Sequence, residues 1–267
     1  MSKKLFCLLL FCNACLNAVA WGAGFSAMVS PPRFELQGKP GDVIREIVDI
    51  ENAGDVPAVF SIRTADWDLS ASGGLTIFPA ELQPGSCRPW ARIERRAIRL
   101  QPQSGKRFRF ELHLPEQAPA GECRLAILVE PGDEENVLAR ARNIRFPVEG
   151  RIAIIVYVTV GDAAPVLSLH TLKLEDMNGR LTPVAVLENT GNAHGRPDGF
   201  LQGRDASGKT IDFTVAQTPI LPGQTRPITL WQATAQGTEA VALTPPVKIK
   251  GSIEWQNGRL EVDTTLE

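Results

Sequence analysis

Between Arg107 and Leu114 the chain changes from polar to apolar at every step, with Phe108, Phe110, Leu112 and Leu114 set between Arg109, Glu111 and His113. A two-residue period places those four apolar side chains on one face of an extended strand. Val43–Ile50 and Arg92–Leu100 carry the same pattern less regularly, and Gly and Pro, 23 and 20 residues of each, punctuate short runs rich in Val, Ile, Phe and Thr. Many short strands joined by turns are the result, and no long segment shows the apolar period of a helix, which argues against an α/β enzyme. The chain is therefore expected to be all-β. Its 267 residues are too many for one small sandwich and suit two.

An internal repeat marks the two halves. Asp49-Ile50-Glu51-Asn52-Ala53-Gly54-Asp55 returns 137 residues later as Val186-Leu187-Glu188-Asn189-Thr190-Gly191-Asn192. In each copy a β segment runs into an Asn-x-Gly turn, and in each half a proline turn follows, at Leu100–Gly105 and at Leu221–Gln224. Two copies of one immunoglobulin-like plan would leave this trace. The break is expected at Gly161–Pro165, giving a first sandwich over residues 21–161 and a second over 162–267.

The first twenty residues read as a secretory signal peptide. Lys3 and Lys4 precede the apolar run Leu5–Phe11, and Ala18-Val19-Ala20 supplies small residues for cleavage. The run is too short to span a bilayer, and Cys12 and Cys15 lack the small-residue pattern that precedes a lipid-modified cysteine. Export would leave Cys87 and Cys123 as the remaining cysteines. In an oxidising compartment they are expected to form a disulfide, with two separately buried thiols as the alternative. Loss of the two leader lysines takes the formal charge from −2 to −4, which gives no bulk attraction for nucleic acid or anionic lipid, and no stable membrane insertion is expected.

A search for chemistry finds no catalytic residue, cofactor motif or metal site. His113, His170 and His194 have no ligand spacing, and neither a Gly-x-Ser-x-Gly elbow nor a P-loop is present. Asp66-Trp67-Asp68 resembles the start of a calcium loop, but Ala71 stands where such a loop needs glycine and Ile77 where it needs glutamate. A turn between strands is the simpler reading. Trp67, Trp90, Trp231 and Trp255 read as core aromatics, and His194, in a turn-rich stretch, as a surface histidine.

One segment departs from the half-buried pattern. Ile152–Val160 is an almost unbroken apolar run, suited to a strand covered on both faces. Just before it, Ile144, Phe146 and Val148 alternate with Arg145, Pro147 and Glu149, and an apolar row beside a proline suits an edge strand. Such an edge is an aggregation hazard unless something covers it.

Signal peptide, two sandwich halves and the order of these segments resemble the periplasmic chaperones of the chaperone/usher pilus pathway. Val29-Ser30-Pro31-Pro32-Arg33-Phe34-Glu35-Leu36 is similar to the first strand of that family, and Asp49–Asp55, Leu100–Leu114 and Leu114–Leu125 follow its order of strand and turn. The resemblance implies a non-enzymatic chaperone that binds a pilus or fimbrial subunit by donating an edge strand and delivers it to an outer-membrane usher, without ATP or any cofactor. It implies that Ile144, Phe146 and Val148 fill the subunit's groove and that Arg33 anchors its terminal carboxylate. The family's second anchoring residue, a lysine, falls near Ala153 here, so Arg151 takes its place in this reading. The family's aromatic-Arg-Pro ending is replaced by Tyr157-Val158-Thr159-Val160-Gly161, and the cysteine pair is not typical of the best-known members. Two rivals stand beside this reading. An adhesin-like envelope module would bury the same apolar residues in a closed sandwich, and a secreted β-sandwich hydrolase would need a site that the sequence does not display.

Overall fold

Val43–Ile50, Arg92–Leu100 and Arg107–Leu114 form strands in the computed structural model, which describes residues 25–70, 73–132, 150–234 and 240–267. In the first half these are β1 (Ala27–Ser30), β2 (Arg33–Gly38), β3 (Val43–Asn52), β4 (Ala58–Leu69), β5 (Leu75–Phe78), β6 (Ala91–Ile93), β7 (Ala97–Leu100), β8 (Ser104–His113), β9 (Gly121–Pro131) and β10 (Ile152–Val160). The second half holds β11 (Leu167–Asp176), β12 (Leu181–Asn189), β13 (Phe200–Arg204), β14 (Thr210–Val215), β15 (Thr225–Gln232), β16 (Val247–Trp255) and β17 (Gly258–Leu266). One turn of 3₁₀ helix, Arg88–Trp90, is the helical exception among the described residues. The expected signal peptide and the segment holding Ile144, Phe146 and Val148 lie outside the described residues.

The first ten strands build two facing layers, β1-β3-β8-β6 and β2-β10-β9-β4-β5, with β7 also on β4. All pairings are antiparallel except that of β2 with β10, whose register sets Arg33 opposite Ile155. Val29-Ser30-Pro31-Pro32-Arg33-Phe34, expected as one strand, divides at its prolines: β1 joins one layer and β2 the other. Arg92–Leu100 divides likewise, since β6 pairs with β8 and β7 with β4. A segment that changes layers loses its simple alternation, the reason this stretch looked irregular in sequence. The layers enclose Phe108, Phe110 and Leu112 from β8, Phe60 and Ile62 from β4, Leu125, Ile127 and Val129 from β9, and Ile154, Val156 and Val158 from β10. At about 25 cal/mol per Å² of apolar surface, each such side chain contributes about 1.5–3 kcal/mol.

The second half is an immunoglobulin-like sandwich made from one folded-over sheet, β11-β12-β15-β14-β13-β16-β17, whose last strand returns against its first. The fold-over occurs within β15, which pairs with β12 from Thr225 to Thr229 and with β14 from Leu230 to Gln232. Its core, with Leu187, Phe213, Ile228, Leu230, Ile249 and Ile253, is separate from that of the first half.

The internal repeat has a physical cause. Asn52 and Asn189 are both almost wholly buried. Asn189 Nδ2 donates to the carbonyls of Ala193 and Ile220, each at 2.8 Å, while its Oδ1 accepts from Gly191 N at 2.9 Å and Val166 N at 3.2 Å. Asn52 does the same with Val56 O at 2.8 Å, Gln101 O at 3.2 Å, Gly54 N at 3.0 Å and the Ser26 hydroxyl at 3.2 Å. Each asparagine ties a turn to the segment leading into its sandwich's first strand. The glycines leave room for that segment: a Cβ on Gly191 would clash with the Ala164 carbonyl and the Val166 amide, and one on Gly54 with the Ser26 hydroxyl. Cys87 and Cys123 are bonded, with their Cα atoms 5.3 Å apart, and join the loop before the 3₁₀ turn to β9.

Candidate functional site

Alternation along β2, β10, β9 and β4 leaves their layer with a second face, turned away from the core of the first sandwich. It carries Arg33 and Glu35 from β2, Ala153, Ile155 and Tyr157 from β10, Glu122, Arg124, Ala126 and Leu128 from β9, and Ala65 and Trp67 from β4. The second half of the chain packs onto it. Leu221, in the turn before β15, joins Ala65, Trp67, Ala126, Leu128 and Tyr157 in a small apolar cluster. Ile152–Val160 is thus covered on both faces, one side of β10 by the first core and the other by this cluster.

Polar groups surround the cluster. His194, from the loop between β12 and β13, lies flat on Tyr157 with ring centroids 3.9 Å apart. Its backbone N–H donates to Glu122 Oε2 at 3.2 Å, and its Nδ1 meets the same oxygen at 2.5 Å. The side chains of His194 and Glu122 are only 9% and 1% exposed. His194 is a junction residue, not the surface histidine expected from its turn-rich neighbourhood: the turn projects into the first sandwich instead of into solvent. Burial pushes the Tyr157 hydroxyl up to about 12. Arg226, from β15, donates to Ser70 O at 2.6 Å and Leu69 O at 3.0 Å, binding the end of β4 to the second half. Burial lowers the Arg226 pKa from its ordinary value. Arg124 lies over the Trp67 ring, whose Nε1 donates to Leu125 O at 3.0 Å.

Two cavities open along the junction. One of about 510 Å³ is lined by Trp67, Gln83, Arg124, Asn192, Leu221 and Gln224. The other, of about 430 Å³, lies beside Glu35, Tyr157, Asp162, His194, Gln256 and Asn257.

Arg33 and Arg151, the two basic residues singled out in the sequence, stand on this side of the layer but are not brought together. Arg33 forms an ion pair with Glu35, Nε lying 3.0 Å from Oε1. Arg151 bonds to Glu130 Oε1 at 2.6 Å, a carboxylate it shares with Arg63. Hydrogen bonding from Arg63, then the charges of both arginines, hold Glu130 below the usual carboxylate range. Since Ile155 is the partner of Arg33, Arg151 sits four residues away along the strand, about 13 Å at ~3.3 Å per residue.

Asp66 serves a structural purpose: its carboxylate accepts from Gln83 N and the Ser86 hydroxyl at 2.8 and 2.7 Å, steadying the loop that carries Cys87. Among the described residues no three His, Cys, Asp or Glu side chains converge as a metal ion would need. Trp67 is buried and Trp90 and Trp255 pack against cores, but Trp231 is 51% exposed on the outside of β15, contrary to the expectation of a core aromatic. Both faces of a strand can carry large apolar residues, so periodicity does not say which is buried.

The fold and junction define a class: two sandwiches joined at a polar and aromatic seam, with a cleft beside it. No family model matches this sequence, and no curated protein matches it. Solved structures similar in fold include a chain of a chaperone–tip adhesin complex described as vital for synergistic activation of CFA/I fimbriae biogenesis, 10% identical, with 89% of this chain and 98% of that one covered at a TM-score of 0.49. The class 5 fimbriae chaperone CfaA is 12% identical over 90% of this chain and 99% of its own, with a TM-score of 0.47. A chain of the CsuC–CsuE chaperone–tip adhesion subunit pre-assembly complex from Acinetobacter baumannii is 14% identical over 90% and 97%, with a TM-score of 0.45. The likeness is one of fold.

Proposed function

We propose that this chain is a divergent periplasmic chaperone of the chaperone/usher kind, exported by cleavage near Ala20, with sandwiches over residues 21–161 and 162–267. It binds a pilus or fimbrial subunit and passes it to an outer-membrane usher without catalysis. The observation that carries the reading is the position of β10. This strand, covered on both faces, follows directly on Ile144, Phe146 and Val148, and its parallel neighbour β2 carries Arg33 opposite Ile155, with that side chain 47% exposed. In this reading the three apolar residues enter the subunit's incomplete sandwich, where main-chain pairing supplies affinity and alternate side chains supply specificity. Arg33 takes the terminal carboxylate in charge-assisted hydrogen bonds, with Arg151 as the second cation that the resemblance suggests.

The test is co-purification of the exported protein from its own periplasm. A one-to-one complex with a secreted subunit is expected, lost in Phe146→Asp because an uncompensated carboxylate is costly in an apolar groove. Free Phe146→Asp protein should melt as the parent does. Unfolding of that variant would show that Phe146 belongs to the chain's own core and favour the adhesin-like module, and undiminished binding would sink the donated-edge mechanism.

A further inference from the structure

The arrangement around Glu35 points to a different second cation. Three positively charged or protonatable groups converge on one atom, Glu35 Oε1: Arg33 Nε at 3.0 Å, His194 Nε2 at 3.7 Å and Arg196 Nη2 at 3.8 Å. Arg33 comes from the first sandwich and the other two from the loop between β12 and β13. Among the described residues Glu35 is the sole carboxylate within 4 Å of either Arg33 or Arg196. Arg196 is otherwise held by one bond, from Nη1 to Gln217 O at 2.8 Å, and its Nε is buried without a hydrogen-bond partner. Arg151, by contrast, already shares Glu130 with Arg63.

We infer that Arg33 and Arg196 together form a carboxylate-binding site across the two sandwiches, and that Glu35 is its resident internal occupant. The inference rests on the carboxylate-anchor reading above and changes which residue completes it. Glu35 and Arg33 are two positions apart on one face of β2, so the tethered carboxylate pairs with Arg33 at 3.0 Å and stays 3.8 Å from Arg196, beyond hydrogen-bond range. A carboxylate at the end of an incoming chain has no such tether and can place one oxygen on each guanidinium. Glu35 is 46% exposed and Arg196 23%, so the exchange needs no opening of the core. The occupant also keeps two cations neutralised while no ligand is bound, which lowers the penalty of bringing them together at the junction. Because the site is shared by both sandwiches, a bound carboxylate would join them, as the contacts of His194 with Glu122 and of Arg226 with Ser70 do.

The test uses arginine side-chain Nε–Hε NMR resonances of the full exported chain, titrated with N-acetyl-phenylalanine and, separately, with its C-terminal amide. Arg33 and Arg196 should shift with the acid and not the amide, while Arg151 stays still. Glu35→Gln, which keeps the shape and removes the competing charge, should bind the acid roughly two- to fivefold more tightly, the worth of one exposed ion pair. Shifts of Arg33 together with Arg151 but not Arg196 would overturn the inference and leave the carboxylate-anchor reading standing. No shift of Arg33 would remove both. Unchanged or weaker binding by Glu35→Gln would show that Glu35 is not a competitor and overturn the inference as well.

Discussion

Replacing Asn189 with leucine keeps the side chain's branched shape and removes four hydrogen bonds at once. The carbonyls of Ala193 and Ile220 lose a donor each, and the amides of Gly191 and Val166 lose their acceptor. A buried backbone group left unpaired costs about 1–3 kcal/mol. Gly191 is only half-buried and Val166 is exposed, so both amides regain water; Ala193 and Ile220 are buried, but the Ile220 carbonyl still accepts from Gly195 N at 3.0 Å. The Ala193 carbonyl is then the buried group left unpaired, which gives about 2 kcal/mol, a sizeable part of the 5–15 kcal/mol that holds a typical domain. With a urea dependence of about 2 kcal/mol per molar, the midpoint of the second sandwich should fall by about 1 M. Urea unfolding of the exported chain, followed by far-UV circular dichroism, reads this directly. Thr190→Ala, at the exposed neighbour, should move the midpoint by less than about 0.25 M. A shift below 0.5 M for Asn189→Leu would refute the view that the repeated asparagine holds its turn in place.

Three further outcomes follow from other parts of the chain. Cys87→Ala with Cys123→Ala should destabilise the first sandwich by about 2–4 kcal/mol, and a reductant should lower the melting temperature of the parent but not of the double variant. Glu130 titrates below its ordinary range when folded, so its contribution is complete above the unfolded carboxylate value and is lost as pH falls through the lower folded one. Glu130→Gln should accordingly flatten the acid side of the stability profile and leave the alkaline side alone, as pH-dependent urea midpoints would show. The Tyr157 hydroxyl is raised to about 12, so its contribution is intact below the unfolded value of about 10 and disappears between the two. Tyr157→Phe should remove that alkaline loss; a profile unchanged from the parent would refute the burial argument.

The sequence by itself determined what local chemistry encodes. Alternation in Arg107–Leu114 fixes a strand and its inward face, and all four apolar residues are indeed buried. The unbroken run Ile152–Val160 announces a strand with two covered sides, and the copies of Asn-x-Gly announce two copies of one plan, because each asparagine closes bonds within its own sandwich. Only tertiary structure decided what lies between them. Nothing near His194 signals that its turn reaches back 72 residues to Glu122. Nor does the sequence around Arg226 show a guanidinium aimed at the end of β4, more than 150 residues earlier. Arg33 could be read as a cation on the first strand, but its neighbours could not. Whether Arg151 or Arg196 stands beside the same carboxylate depends on how the second sandwich sits on β10. Strand periodicity sets the direction of a side chain relative to its own sheet; which groups meet across the junction depends on long-range packing, which no local spacing records.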